Sequence, residues 1–465
     1  MINWEENTPL VALTHLDGRN AHKLSALRPY FSELAWMKFR LRVIVDYSIA
    51  IAKKINNITL SSHEIQNLVA LYNQFSPNDA DHVVTIEKRV NHDVKALELY
   101  CESAFARSGL TKLIRYLNLG LGSEDINSIA LGLQLVTSRG DVLMPVLSHV
   151  AHALIEFARN ERDRTMIART HASPANVTTF GKEVANSLSR LCDEVAMFGS
   201  VPFQAKSSGE VGTFQAFSGV DTNIDWMEFT DTFIRSYGLV PTYASTQIVP
   251  YDSLVRYLHA LFRINSILLD FVKNMWLYVL LGYLRVRKVE SEVGSSGMPH
   301  KVNPVYFEGA EGCLEMANGV IETLVRKLPT NRLQRGFSDS TLRRNIVLSF
   351  AYSLLAYQSI KEAISRIDVD GDAISRDLAH NAQIWIETVK TYGTTHGISD
   401  MYDHLKRETR GRVLTTEDLH SIIDALPLRV KEKQELTSLC DGKVNPYPGK
   451  IVDIVVKKAK KVFNL

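Results

Sequence analysis

Apolar residues recur along this chain at three- and four-residue spacings, in long stretches without a helix breaker. Residues 251–281 contain neither proline nor glycine, and the run ends at Gly282. Within it Val255, Leu258, Phe262, Leu269, Val272, Trp276 and Val279 follow one another by three, four or seven positions. That spacing predicts a helix with one apolar stripe. A helix of about 30 residues is longer than most globular helices and suits a bundle. Similar patterns predict helices over 182–198, 306–328 and 341–366, whereas the strict alternation of a half-buried strand is scarce. The chain therefore reads as mostly helical, in three regions. Residues 1–110 form a helical N-terminal unit, 111–366 hold the long helices, and 367–465 form a smaller helical cap. The cap is entered through the polar turn Asp368-Val369-Asp370-Gly371-Asp372. No internal repeat or low-complexity tract is present.

Composition narrows the class without naming a chemistry. The 465 residues suffice for two to four packing units. Hydrophobic residues make up 45% and charged residues 22%, an ordinary globular mixture. With 53 basic and 51 acidic residues the net charge is +2, so a general nucleic-acid or membrane-surface binder is not expected. Cys101, Cys192, Cys313 and Cys440 lack metal-ligand spacing and read as reduced thiols. Met1 to Leu10 carries Glu5 and Glu6 and no basic-then-apolar leader. The apolar stretch Met275–Leu284, preceded by Asp270, Lys273 and Asn274, is too short to span a bilayer. A cytoplasmic location is the expectation.

Candidate chemistry concentrates in Gly294-Ser295-Ser296-Gly297-Met298-Pro299-His300-Lys301-Val302-Asn303-Pro304, which lies between two helical patterns. A mobile lid closing on an anion would use all of these residues. Serine hydroxyls and backbone N–H groups bind carboxylate oxygens, and Lys301 neutralises developing charge. On composition alone, a solvated helix–helix connector explains the segment equally well.

The order of residues is more telling. The pattern GSSxMPxKxNP resembles the signature loop of the fumarase/aspartase superfamily, and MPHKVNP followed by Phe307-Glu308 resembles its bacterial-type adenylosuccinate lyase family. The resemblance extends over most of the chain. It includes Asp17-Gly18-Arg19, Ser25-Ala26-Leu27-Arg28, Lys38-Phe39-Arg40 and Thr85-Ile86-Glu87 with Asn91-His92-Asp93-Val94-Lys95-Ala96. It continues through Ser123-Glu124-Asp125-Ile126-Asn127, Arg169-Thr170-His171, Gly181-Lys182-Glu183 and Thr246-Gln247-Ile248. Lys327-Leu328-Pro329, Gln334-Arg335, Asp339-Ser340-Thr341 and Arg344-Asn345 complete it.

The resemblance implies an all-α, three-domain fold whose long central helices assemble into a homotetramer, with active sites shared between subunits. It also implies elimination of fumarate from a succinylated amine. A C–H beside a carboxylate is a very weak acid, so such a site must gather donors and a cation where charge develops, and must protonate the leaving nitrogen. By resemblance Ser295 is the general base, His171 the proton donor, and Lys301 stabilises the alkoxide and the developing charge. Ser123, Thr170, Ser296 and Asn303 would hold the succinyl carboxylates, and Gln247 the middle of the substrate. Asn91, His92 and Asp93 belong to the binding set. Arg19, Arg335, Ser340 and Arg344 would bind a 5′-phosphate, a task suited to guanidinium forks and hydroxyls. No metal or organic cofactor is implied, because this acid–base chemistry needs only side chains. Taken singly, His171 and His92 could be ordinary surface residues, and Ser123 before Glu124-Asp125 could be a helix cap.

Several positions depart from the family pattern. Asn20 stands for tyrosine, Gly122 for threonine, Ala172-Ser173 for Gly-Gln, Gly309 for asparagine and Gly336 for aspartate, and Glu210 occupies a position usually held by a small residue. Each lost buried hydrogen bond is worth ~0.5–1.5 kcal/mol, enough together to retune a substrate. Three readings follow. The first is a purine-synthesis lyase acting on adenylosuccinate and on the succinylated aminoimidazole carboxamide ribotide. The second is a paralogue that releases fumarate from another N-succinyl compound. The third is a catalytically dead scaffold, disfavoured by the joint retention of Ser295, His171 and Lys301.

Overall fold

A computed structural model describes residues 8–442 and 444–465. Glu5 and Glu6 lie outside them. The fold is predominantly helical, with three two-stranded sheets among the described residues. The stripe over 251–281 becomes the helix Asp252–Leu280. The patterns over 182–198 and 306–328 become Phe180–Ser200 and Val305–Lys327.

The pattern over 341–366 divides into Ser338–Arg344 and Ile346–Ser365. Asn345 is the reason: its side-chain amide donates to Thr341 O at 2.8 Å, a local bond that ends the first helix. The polar segment 368–372 is likewise more ordered than a turn. Ile367–Val369 pairs antiparallel with Leu284–Val286, and Asp370 then caps the helix Gly371–Ala379, accepting from Ala373 N at 3.0 Å. Arg287 bridges this pairing to Asp368 at 2.6 Å.

The chain groups into two compact units. The first comprises Met1–Val146, Met197–Arg263 and Met316–Leu355; the second comprises Leu147–Ala196, Ile264–Glu315 and Ala356–Leu465. In the first, Tyr47 packs edge-on against Phe229 and Phe233, with ring centroids 6.1 and 5.5 Å away, and its hydroxyl donates to Leu119 O at 2.6 Å. Phe198 stacks on Tyr257 at 4.5 Å, and Phe203 meets the same ring edge-on. Arg139 donates to the carbonyls of Phe198 and Val201, closing the end of the helix Phe180–Ser200. These arrangements satisfy polar atoms while burying aromatic area.

In the second unit Ile167, Ile384, Trp385, Val389, Leu405, Leu419, Ile423 and Leu436 form one buried cluster. Phe180 packs edge-on between Phe157 and Tyr278, and the buried Tyr357 hydroxyl donates to Asn265 Oδ1 at 2.5 Å. The helical run Ser123–Asn160 has the length and apolarity of a membrane span. Its N-terminal turn nevertheless buries Glu124 and Asp125. Asp125 is paired with Lys206 at 2.7 Å, and both side chains are 0% exposed.

Candidate active site

The proposed substrate-binding residues lie mostly in the first unit, whereas Ser295, His171, Lys301, Thr170, Ser296 and Asn303 lie in the second. In the first unit the organising residue is Glu124, which is 3% exposed. Its carboxylate accepts from Arg335 at 2.9 Å, Arg343 at 2.9 Å and Asn127 at 2.6 Å. Burial pushes this carboxyl up, but Arg343, Arg335 and the Asn127 amide outweigh it and hold it below its ordinary range.

The network continues in both directions. Arg40 donates to Asn127 at 2.8 Å and to Asp93 at 2.8 Å. Asp93 also receives Arg344 at 3.5 Å, and Arg344 reaches Glu33 at 3.4 Å. On the other side Arg335 donates to Gln247 Oε1 at 3.4 Å, and Gln247 Nε2 donates to Glu210 at 2.9 Å. Asp93, Gln247, Arg335 and Arg344 are thus joined by hydrogen bonds, through Arg40, Asn127 and Glu124.

Ser123 is the first residue of the helix Ser123–Ser138 and does not cap it. The cap is Gly122, whose N–H donates to Asp125 Oδ2 at 2.7 Å. Asp125 also collects Lys206, Ser208 N and Gly209 N, which pins the glycine-rich loop to the helix start. The bland explanation of Ser123 therefore fails on geometry. His92 has a local structural role: its Nδ1 accepts from Lys95 N at 3.2 Å and caps the helix Asp93–Arg107. Asn91 ends the preceding helix at a positive φ of 53°. Ser340 is buried on the short helix Ser338–Arg344, beside Asp339, which accepts from Tyr251. Arg19 is exposed and makes no ion pair among the described residues.

In the second unit His171 sits at the tip of the antiparallel hairpin Thr165–Thr170 with Ser173–Thr179. Thr170 pairs with Ser173, and the two residues between them, His171 and Ala172, have φ of 51° and 64°. Such a two-residue turn needs positive φ at both central positions, which favours glycine. The alternation that predicts strands is weak here, so the hairpin was not legible in the sequence. Close to the turn, the hairpin is shaped by a bulge at Ala168/Arg169 and held by Arg169. That guanidinium donates to the Tyr283 hydroxyl at 3.1 Å, and both groups converge on the Asp377 carboxylate.

The segment 294–304 is a largely exposed loop between the strand Leu284–Val286 and the helix Val305–Lys327. It folds back on itself. A Cβ built on Gly294 would lie 2.4 Å from Lys301 O, so only glycine permits this crossing. The crossing brings the backbone beside Ser295 against that of Lys301. Ser295 Oγ accepts from Met298 N at 3.1 Å, a donor that would also stabilise an alkoxide. Ser296 is exposed and Asn303 half-buried in the same loop. Among the described residues no group of three or more His, Cys, Asp or Glu side chains is placed to hold a metal.

Sequence reasoning missed the parts played by Glu124, Asp377 and Tyr283. Glu124 stands within a quoted motif, but an acidic residue in a first helical turn looks ordinary until its partners are known.

Residues 18–319 match a family model described as a lyase, and residues 331–443 match that of the adenylosuccinate lyase C-terminal region. The chain is 34% identical to the adenylosuccinate lyase of Escherichia coli (strain K12), over 97% of this chain and 99% of that one. It is 35% identical to the adenylosuccinate lyase of Vibrio cholerae, over 96% and 99%. Among solved structures, the fold is similar to that of a fumarate lyase from Mesorhizobium sp. BNC1, with a TM-score of 0.74 at 18% identity over 93% of this chain and 97% of that one. It is also similar to the 3-carboxy-cis,cis-muconate lactonizing enzyme from Pseudomonas putida, with a TM-score of 0.72 at 18% identity over 95% and 98%.

Proposed function

The chain belongs to the adenylosuccinate lyase family of the fumarase/aspartase superfamily, and from that premise we propose how its residues divide the work of a fumarate-releasing C–N lyase in purine biosynthesis. The substrates are adenylosuccinate, giving AMP, and the succinylated aminoimidazole carboxamide ribotide, giving the carboxamide; each also yields fumarate. The Ser295 alkoxide removes the proton from the carbon beside a carboxylate. The electrons of that C–H bond form the fumarate double bond, the C–N bond breaks, and His171 delivers a proton to the departing nitrogen.

The observation that carries this assignment is the bond that Ser295 Oγ accepts from Met298 N, within a loop that the Gly294–Lys301 crossing folds back on itself and that also carries a cation. Lys301 and that N–H lower the cost of the alkoxide and of the dianionic intermediate. Ser123, Thr170, Ser296 and Asn303 take the succinyl carboxylates. Gln247 spans the middle of the substrate. Arg19, Arg335, Ser340 and Arg344 take the phosphate, and Asn91, His92 and Asp93 complete the binding set. Asp93 acts partly by ordering Arg40 and Arg344.

The reading includes a cytoplasmic homotetramer in which three subunits contribute to each active site, and a chain divided at 1–110, 111–366 and 367–465. Full activity in a verified monomer would overturn the shared site, and limited proteolysis tests the divisions. The primary experiment is fumarate release by purified protein from both succinylated substrates, with Ser295→Ala beside the wild type. Release that disappears in the variant supports the assignment, and unchanged release in the variant removes Ser295 as the base.

A further inference from the structure

Two of the departures from the family pattern meet in the first unit. A Cβ built on Gly122 would lie 2.8 Å from Glu210 Cδ and 2.9 and 3.0 Å from its carboxylate oxygens. The Glu210 carboxylate therefore occupies the volume that any side chain at 122 would need. The absence of a side chain at one position and the presence of a long acidic one at the other are thus sterically linked.

Glu210 is not idle in that space. It accepts from Gln247 Nε2 at 2.9 Å, and Gln247 Oε1 accepts from Arg335 at 3.4 Å. An ionised carboxylate can only accept and a guanidinium can only donate, so the two neighbours fix which way the amide points. Glu210 differs from Glu124, the other carboxylate of this network. Glu124 is buried and its charge is met by two arginines. Glu210 is exposed and makes no ion pair among the described residues. Gln247 uses one of the roughly four lone-pair positions of a carboxylate, which leaves acceptor capacity beside Gln247 and against Gly122, the residue that precedes Ser123.

We propose that Glu210 is a specificity-determining residue that selects a succinylated amine bearing an N–H donor close to the scissile nitrogen. The inference rests on the reading above, in which Ser123 and Gln247 face the substrate. The two substrates differ at that place. The aminoimidazole compound carries a free exocyclic amino group next to its carboxamide. In adenylosuccinate the corresponding edge is closed into a purine ring whose nitrogens hold lone pairs and no hydrogens. A negatively charged acceptor gains a charge-assisted hydrogen bond from the first and meets lone pairs in the second. The pocket thus favours the aminoimidazole substrate, and Gly122 makes room for the group that does so.

The test is the ratio of kcat/KM for the two substrates. In the wild type it favours the aminoimidazole compound. In Glu210→Ala the ratio falls by about tenfold or more, the worth of one charge-assisted bond, and Glu210→Gln falls between them. Gly122→Ala displaces the carboxylate and lowers the ratio in the wild-type background, yet adds nothing in the Glu210→Ala background. A binding measurement runs beside it: Glu210→Ala weakens the dissociation constant of the aminoimidazole carboxamide ribotide and leaves that of AMP in place. Fumarate release from both substrates with a ratio unmoved by Glu210→Ala overturns the proposal alone. Release from neither substrate by folded wild-type protein overturns the reading of the reaction on which it rests.

Discussion

The charged cluster around Glu124 and the loop around Ser295 handle polar groups in opposite ways. The cluster is buried, and nearly every charge in it is already met: Glu124 by Arg335 and Arg343, Asp125 by Lys206, Asp93 by Arg40. Removing one partner strands another charge in a region of low dielectric. The loop is largely exposed, and its few internal bonds are local, such as Ser295 Oγ with Met298 N and Lys301 N with Met298 O. A rigid, prepaired surface suits binding of a fixed phosphate and carboxylate. A loosely held loop suits a base that must close over its substrate and open again. Substitutions in the cluster should therefore register as lost stability, and substitutions in the loop as lost rate.

The largest effect expected is on rate. Ser295→Ala lowers kcat by about a thousandfold, within the range for loss of a general base, while the melting temperature stays at the wild-type value. Fumarate absorbance and a thermal scan read the two quantities, and a large drop in melting temperature would erase the contrast. Glu124→Gln does the reverse and leaves Arg335 and Arg343 undercompensated. It should destabilise by about 3 kcal/mol, measured by urea unfolding at fixed protein concentration.

The same carboxylate predicts a pH signature. Its folded pKa lies below the ordinary 4.5, so its stabilisation is full above that value and is lost as pH falls below 4.5 toward the folded pKa. The acid limb of the stability curve should be steeper in the wild type than in Glu124→Gln. Equal limbs would mean that Glu124 is not held ionised by its arginines.

Asp377→Asn tests whether the hairpin shares the loop's behaviour. It removes the charge on which Arg169 and Tyr283 converge. It should lower kcat by about tenfold through misplacement of His171, with KM little changed, as steady-state fumarate release would show. The smallest effect is at the hairpin tip. Ala172→Gly relieves a left-handed alanine at φ 64° and should add about 0.5–1 kcal/mol of stability, visible as a slightly higher melting temperature.

The apolar stripe from Val255 to Val279 was enough to specify a long helix, because its 3.6-residue period depends only on local spacing. The glycines, serines and lysine of 294–304, in their order, were enough to mark a candidate loop and the family, since such a loop's signature is written in consecutive residues. What the sequence left open depended on residues far apart in the chain. Glu124 looked like any acid in a first helical turn until Arg335 and Arg343, more than 200 positions away, were folded onto it. Ser123 looked like a cap until Gly122 proved to hold that position, its N–H bonded to Asp125. Gly122 and Glu210 looked like separate departures until one proved to fill the space of the other. Periodicity and motif order are properties of neighbours along the chain. Charge pairing and excluded volume are properties of neighbours in space, and only the tertiary structure decided those.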